Sequence, residues 1–367
     1  MVDRELQYQP DFVTLPGETL EEILETIGMS QADLARRMGR PVKTINEIIK
    51  GKAGITPETA LQLEMVLDTP ASFWNNREKR YRESLARNEE REQLKEHIQW
   101  LEHFPVKEMI KFDWIEKFSD KTDQLREVLN YFGVVSPVQW AEMWMQPDAA
   151  FRTTPAFEAD PFAVAAWLRK GEIEAQEIDT AAYDKDKFVA ALYQIRGLTN
   201  DAPDTFVPAV TDLCAQAGVA TVFVPQVPKS RASGATRWVS PNKALIQLSL
   251  RYKTNDHLWF TFFHEAGHIL LHGKRDVFIE DGTGETKKEI QADRFASDFL
   301  IPMEAYESFM PSNPKGFSHE DVLRFAHQVG IAPGIVVGRL QHDEKIPQSN
   351  LNKLKQRLAW VDATTSD

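Results

Sequence analysis

The segment FFHEAGHILLH, from Phe262 to His272, limits what this chain can fold into more than any other part of its sequence. His264 and His268 stand four positions apart, so on an α-helix they project from one face, one turn from each other. This spacing lets two imidazoles bind one Zn²⁺ ion, each at about 2.0–2.1 Å. The flanking residues are almost entirely apolar, which is typical of a helix that crosses a hydrophobic core. The segment therefore predicts a buried helix with a metal site.

A catalytic zinc site needs a third protein ligand and one open coordination position. We predict Glu289 as that ligand, because it lies 21 positions after His268, at the start of the next amphipathic helical pattern. Asp293, one turn further on, is predicted to accept the second N–H of a ligand histidine. His272 is the alternative third ligand, but it lies about 12 Å from His264 along a straight helix, too far to share one ion.

Glu265 follows the first histidine directly, so it is close to the metal without belonging to the two-histidine face. A carboxylate in this position can take a proton from an attacking water, and we predict that Glu265 is a general base. Arg251, Tyr252 and His272 are the candidates for stabilising an oxyanion. The alternative to the whole site is a pair of core histidines whose hydrogen bonds are satisfied without any metal.

A second informative stretch is MSQADLARRMGRPVKTINEIIKG, residues 29–51. It predicts a helix, a turn at Gly39 and a second helix, with the small Ala35 where two helices cross, as in a helix-turn-helix. Residues 29–52 hold six basic and two acidic side chains, a local net charge of +4. This charge suits DNA phosphates. The alternative is a plain helical bundle that binds protein. The predicted DNA contacts are Gln31, Arg40, Val42, Lys43, Thr44, Asn46 and Glu47.

The order of the patterns predicts a mainly α protein with a small β-sheet, of the α+β class. GVATVFVPQVP, GATRWVS and NKALIQLSLRY predict strands that pair, with a turn at residues 240–242, and a Gly/Asp-rich loop follows at 273–289. We divide the chain into a helix-turn-helix bundle, a charged connecting helix, a helical middle region and a metal-binding domain with a helical C-terminal extension, at residues 1–71, 72–104, 105–204 and 205–367.

Composition places the chain among globular proteins of a reducing compartment. Of its 367 residues, 42% are hydrophobic, and the net charge of −12 argues against a surface that coats nucleic acid throughout. Cys214 is the single cysteine, so no intrachain disulfide forms. The longest apolar run is far shorter than the roughly 20 residues that span a bilayer. We therefore expect a cytoplasmic protein without a membrane partner.

The metal segment resembles a known family. FTFFHEAGHILLH, followed by KKEIQADRFASDFLIP, is similar to the ImmA/IrrE zinc metallopeptidases over about residues 205–310. The resemblance implies a zincin-like fold in which a small twisted sheet packs on the active-site helix. It also implies that His264, His268 and Glu289 bind Zn²⁺, with Glu265 as base, and that the strands before the helix align an extended peptide. The asparagine usual in the second motif is Asp293 here.

The first 80 or so residues resemble the XRE family, particularly its antitoxin-type members. Together the two resemblances imply a regulator that binds a double-stranded DNA operator as a homodimer. Its zinc endopeptidase site would hydrolyse a peptide bond in a regulatory protein, such as a repressor or a toxin. The alternative is a non-catalytic transcription factor or antitoxin, in which the zinc fold is a scaffold that binds a toxin or senses a signal.

Overall fold

The computed structural model describes residues 14–145, 159–274, 278–280, 286–310 and 316–360. The chain divides into two compact units, Met1–Glu96 and His97–Asp367. Within the described ranges, no helix is both long enough and apolar enough to cross a membrane.

In the described part of the first unit, every regular element is a helix. Its helices are α1 (Pro16–Thr26), α2 (Gln31–Met38), α3 (Val42–Ile49), α4 (Pro57–Leu67) and α5 (Ala71–Lys95). Ser30 caps α2 by accepting a hydrogen bond from the Asp33 N–H at 3.1 Å, and Gly39 ends it at φ +66°. This left-handed conformation suits glycine, which has no Cβ to clash. The helices enclose one core, whose fully buried side chains include Leu34, Ile45, Leu63 and Trp74.

Helix α5 lies where the sequence predicts a connecting helix, but its limits differ. It begins at Ala71 and ends at Lys95, not near residue 104, and a 3-10 turn over Ile98–His103 follows in the second unit. Pairs at i, i+4 line its surface, with Arg82 and Glu78 at 2.8 Å and Arg87 and Glu83 at 2.7 Å.

The second unit holds the remaining helices and the sheet. The helices are α6 (Val106–Lys111), α7 (Lys121–Phe132), α8 (Pro137–Trp144), α9 (Pro161–Glu177), α10 (Lys185–Gly197), α11 (Pro203–Gln216), α12 (Asn255–Leu271), α13 (Lys287–Leu300), α14 (Met303–Phe309), α15 (His319–Val329) and α16 (Pro333–His342). The strands are β1 (Val219–Phe223), β2 (Gly234–Ser240), β3 (Lys243–Leu248) and β4 (Phe278–Glu280). The predicted α+β class is thereby confirmed.

The sheet is mixed, with strand order β1-β3-β2-β4. Strands β2 and β3 form the predicted hairpin, in which Ser240 pairs with Lys243 around a two-residue turn. Strand β1 pairs with β3 in parallel and is not paired with β2, although the sequence suggested that all three would pair together. Strand β4 lies inside the stretch predicted to be a loop and pairs with β2.

Helices cover both faces of the sheet, because successive side chains of β3 belong to two different cores. Ala244, Ile246 and Leu248 belong to the core around α12, whereas Leu245 belongs to the core around α9. Successive side chains of a strand point to opposite faces, so α12 and α9 lie on opposite sides of the sheet. The helical middle region therefore belongs to the same compact unit as the metal-binding region, because α9 supplies the back wall of its sheet.

Helix α9 is held to the sheet by polar contacts as well as by packing. The Trp167 indole N–H donates to the carbonyl of Val224 at 3.1 Å, and the buried Arg237 guanidinium lies 2.6 Å from Glu172. Gly171 allows the close approach, because a Cβ there would stand 1.9 Å from the amide oxygen of Gln247. The sequence offered no signal for these contacts.

Candidate metal centre and nucleic-acid interface

Helix α12 carries the HEAGH motif through the core of the second unit. His264 and His268 are 1% and 2% exposed. The start of the helix is anchored by the C-terminal segment, where the Gln356 N–H donates to the Asn255 side chain at 3.0 Å. A rigidly anchored helix gives the two imidazoles fixed positions.

Helix α13 brings the third candidate ligand back to α12. Its N-cap Thr286 accepts a hydrogen bond from the Glu289 N–H at 3.3 Å, so Glu289 stands in the first turn. The two helices cross where both have small residues. A Cβ on Gly267 would lie 3.3 Å from the Cα of Ala292 and 3.0 Å from the ring of Phe295. This close crossing puts a carboxylate of α13 within reach of imidazoles on α12.

Three side-chain atoms converge at the crossing. The Glu289 Oε2 atom lies 3.0 Å from His264 Nε2 and 3.3 Å from His268 Nε2, and the two Nε2 atoms are 2.9 Å apart. Ligand bonds of about 2.0–2.1 Å in a tetrahedron separate the ligand atoms by roughly 3.3 Å. The observed separations are close to that value, and the two nitrogens and one carboxylate oxygen are donors that zinc accepts. The residues therefore fit one zinc ion.

Two of the three groups are held in the protonation state that binds a metal. Burial alone would raise the pKa of Glu289, but hydrogen bonds with His264 and His268 outweigh it and lower the pKa to about 2. Burial lowers the pKa of His268 below its ordinary value, with Glu289 opposing the shift. Near neutral pH the site therefore offers a carboxylate and a neutral imidazole, as metal binding requires.

Asp293 lies behind one candidate ligand. Its Oδ1 atom is 2.8 Å from His264 Nδ1, the nitrogen that points away from the convergent atoms. A carboxylate there accepts the Nδ1–H and keeps the Nε2 lone pair directed at a metal. The structure thus brings Asp293 to His264, and its orienting role stays a prediction.

His272 lies outside the group of three. Helix α12 ends at Leu271, and His272 follows with extended backbone. Its Nδ1 atom contacts His268 Nδ1 at 2.9 Å, on the side of that ring opposite the convergent Nε2 atoms. Its Nε2 atom is 3.2 Å from Gln291 Oε1. This geometry favours Glu289 over His272 as third ligand.

Glu265 is fully buried beside the first residue of β2. A Cβ added to Gly234 would stand 2.6 Å from the Glu265 Oε1 atom and 2.5 Å from a methyl of Thr261. Thr236, on the same strand, donates its hydroxyl hydrogen to the Glu265 carbonyl at 3.1 Å. Gly234 is thus a residue of the site that sequence reasoning missed, since its role depends on a strand-to-helix distance.

Phe278, the first residue of β4, is another missed contributor. Its ring stacks on the His268 imidazole with centroids 3.9 Å apart. The run of β-formers at residues 277–279 was the available signal for a strand. Strand β4 also alters the expected peptide-binding edge: β2 lies between β3 and β4 over Gly234–Thr236, so β4 takes the outer position on this side.

A cleft of about 350 Å³ opens beside the convergent groups, and Glu289 and Asp293 form part of its wall. Of the oxyanion candidates, Tyr252 lines this cleft and stacks on His257 at 4.2 Å. Arg251 instead donates a hydrogen bond to the Arg231 carbonyl. His272 lies behind His268, against its Nδ1 atom.

In the first unit, α3 exposes one face that carries five of the predicted DNA contacts. Lys43 is 85% exposed at its side chain and lies 3.8 Å from Glu47. Asn46 donates to the Gln31 side chain at 3.4 Å, which joins α3 to the N-terminus of α2. Arg40 donates to Gln62 on α4. Val42 is 48% exposed and Thr44 is half-buried on the same helix.

Comparison with known sequences matches each of these two regions to a family. The family profile of the IrrE N-terminal-like domain covers residues 216–341, and that of the helix-turn-helix covers residues 20–74. The chain joins an XRE-type helix-turn-helix domain to an IrrE-like domain. The IrrE-like domain includes α12, α13 and the whole sheet, and the helix-turn-helix domain includes α2 and α3.

Relatives of known sequence or structure include a helix-turn-helix regulator and an antitoxin. The HTH-type transcriptional regulator YddM of Escherichia coli K12 is 33% identical over 61 residues, which are 17% of this chain and 65% of the relative. Virulence-associated protein I of Dichelobacter nodosus is 38% identical over 72 residues, 19% of this chain and 67% of the relative. The solved structure of the Pseudomonas aeruginosa antitoxin HigA with the higBA promoter is 32% identical, covers 22% of this chain and 90% of that one, and has a TM-score of 0.22.

Proposed function

We propose that the chain is a DNA-binding regulator whose IrrE-like domain is a zinc-dependent endopeptidase acting on a regulatory protein. The observation that carries this proposal is the convergence of His264 Nε2, His268 Nε2 and Glu289 Oε2 within 3.3 Å of one another. Glu289 lines a cleft, so a substrate can approach the donors from that side. Three protein ligands and access from a cleft distinguish a catalytic zinc site from a closed structural one.

The residues of the site divide the chemistry among them. His264, His268 and Glu289 would hold the ion, which when bound supplies Lewis-acid polarisation of the scissile carbonyl and lowers the pKa of a coordinated water. Glu265 takes the proton of the attacking water and passes it to the leaving amine. Asp293 holds His264 through its Nδ1–H, so that the imidazole keeps its orientation through the reaction.

The substrate is proposed to bind as an extended segment along the outer strand β4. This strand pairs with β2, and its Phe278 ring stacks on His268, so a peptide on β4 would pass close to the ligands. Main-chain hydrogen bonds to a sheet edge fix the register of a peptide without demanding a particular sequence. A repressor or a toxin with an exposed flexible segment is the kind of protein that fits.

The purified protein should carry about one zinc ion per chain, the stoichiometry of one three-ligand site. His264→Ala or His268→Ala should remove it, and Glu289→Ala should weaken it strongly. Acidification should release it below about pH 6, because the ligand histidines must lose their protons to bind. Glu289, with a pKa of about 2, stays ionised throughout that range. Metal analysis of the wild type and of each variant, after dialysis at a series of pH values, measures these zinc contents.

The cleavage test uses the zinc-loaded full chain and a mixture of bacterial proteins, with new N-termini identified by mass spectrometry. Cuts made by the wild type and absent with His268→Ala support the proposal. Asp298→Asn, a carboxylate change on α13 outside the three donors, is the matched control and should cut normally. Zinc binding without any cleavage would contradict the endopeptidase proposal and favour the non-catalytic alternative, in which the domain is a scaffold.

For the first unit we propose sequence-specific DNA binding through α3, as a homodimer on a palindromic operator. The exposed face of α3, the local charge of +4 and the family match support this. Two recognition helices would enter the major groove about one helical turn, or ~34 Å, apart. The contact between Asn46 and Gln31 is proposed to hold the Asn46 amide ready for a base edge, since asparagine reads adenine in this way.

Asn46→Ala should weaken binding to the DNA upstream of the protein's own gene by about 10- to 100-fold, the usual value of one base contact. Lys43→Ala should also weaken this specific binding, and Arg40→Ala should reduce the salt dependence, as loss of a phosphate contact does. Lys79→Ala removes an exposed charge from α5 and is the control that should leave binding unchanged. Mobility-shift titrations at two salt concentrations measure these effects. A shift equally strong on every DNA fragment would contradict specific recognition.

A further inference from the structure

We propose that His272 is a positioning residue of the metal centre, which holds the ligand His268 by accepting its Nδ1–H and is itself held by Gln291. The inference rests on the zinc site proposed above. The contacts are short: 2.9 Å between the two Nδ1 atoms and 3.2 Å from His272 Nε2 to Gln291 Oε1. The three side chains form a hydrogen-bonded series that leads outward from the metal site.

The proton positions in this hydrogen-bonded series follow from the lone pairs and N–H groups that each ring must provide. A neutral imidazole carries one N–H, and the nitrogen that binds a metal must offer a lone pair. His268 Nε2 faces His264 and Glu289 and is the nitrogen that would bind the metal, so its Nδ1 carries the hydrogen when the metal is bound. His272 Nδ1 accepts that hydrogen, which leaves the proton of His272 on Nε2, pointing at the carbonyl oxygen of Gln291. With a metal on His268 Nε2, one arrangement of protons therefore satisfies both contacts of His272.

The local backbone explains why His272 can turn back toward His268. It is the first residue after α12, with φ −116° and ψ 168°, and its N–H still donates to the His268 carbonyl at 3.1 Å. Gln291 stands on α13 two positions after Glu289, so the same helix supplies a candidate ligand and the outer residue of the hydrogen-bonded series. The crossing of α12 and α13 thus sets the positions of both residues.

The two ligand histidines are consequently held in different ways. His264 has a carboxylate at its Nδ1, from Asp293 at 2.8 Å, whereas His268 has the imidazole of His272 at its Nδ1. The His268 ring is also stacked on Phe278, so its edge and its face are both fixed. Groups that orient metal ligands typically change metal affinity 10- to 100-fold when removed.

The test compares His272→Leu with His272→Asn in the full chain. The Oδ1 atom of asparagine stands where Nδ1 stands in histidine, so asparagine can accept the same hydrogen, while leucine of similar size cannot. Zinc dissociation constants from chelator competition should be about 10- to 100-fold weaker for His272→Leu. His272→Asn should lie within about threefold of the wild type, and Leu271→Ala, the neighbouring control, should equal it.

Two further measurements separate positioning from a structural role. The melting temperature of the zinc-free protein should be the same in all variants, and the visible absorption of the Co²⁺-loaded protein should shift in His272→Leu and return in His272→Asn. Gln291→Leu, which removes the outer hydrogen bond, should weaken zinc affinity by a smaller factor. This variant replaces the His272 variants in the test if one of them does not fold. Equal zinc affinity in the leucine and asparagine variants, or unaltered affinity in both and in Gln291→Leu, would overturn the proposal. A wild type that binds neither ion would instead overturn the metal site and this inference with it.

Discussion

The variant Glu265→Gln is expected to keep its zinc and its fold while cleaving its protein substrate about 10²- to 10⁴-fold more slowly. The amide is nearly the size of the carboxylate, so the buried packing against Gly234 is preserved. It cannot accept the proton of an attacking water, which is the step assigned to Glu265. Single-turnover cleavage rates and metal content, measured on the same preparation, check both halves of this expectation.

Asp298→Asn provides the control, because it makes the same chemical change on α13 at a partly exposed pair with Arg294. It should retain both zinc and activity. If Glu265→Gln still cleaves at the wild-type rate, another group is the base. If its zinc is lost along with the activity, the residue acts on metal binding and not on proton transfer.

A fragment of residues 205–367 is expected not to fold, although it contains the whole IrrE-like match. It lacks α9, so the back face of the sheet, including Leu245, would lie in water. Each large apolar side chain left in water costs about 1.5–3 kcal/mol, and Val222, Val224 and Leu245 all belong to the core that the fragment would lose. Arg237 would also lose its partner Glu172. The exposed side chains alone match the stability of a marginally stable domain, about 5–15 kcal/mol.

The fragment 97–367 is the control, since it follows the boundary of the second compact unit. It should be soluble, melt cooperatively and bind zinc as the full chain does. Circular dichroism and thermal melts of both fragments decide the matter. A cooperative melt of 205–367 with zinc bound would show that α9 is dispensable.

The sequence was most informative about the metal site, because a helical period converts spacing directly into geometry. His264 and His268, and likewise Glu289 and Asp293, are pairs separated by one turn, so their shared faces could be predicted before any fold was known. Residues whose role depends on a distance between two elements were missed. Gly234 and Gly267 matter only because a strand or a second helix passes within contact distance of them.

The fold was predictable in class and not in topology. Hydrophobic periodicity and helix caps reveal the class of each element, and the β2–β3 hairpin has a recognisable turn. The parallel pairing of β1 with β3 and the position of α9 behind the sheet depend on contacts between segments far apart in the chain. No local pattern marks them. Strand β4, only three residues long, was hidden in a polar stretch.

Coverage of the sheet on both faces has a consequence for what the site can admit. With α12 on one side and α9 on the other, a partner can approach this sheet only at its edge. The adjoining cleft has a volume of about 350 Å³, near the lower end of the range for ligand-binding pockets, about 300–1,000 Å³. An intact globular domain is too bulky to enter such a slot. The architecture would therefore act as a conformational filter, which admits tails, linkers and partly unfolded segments and leaves well-folded proteins untouched.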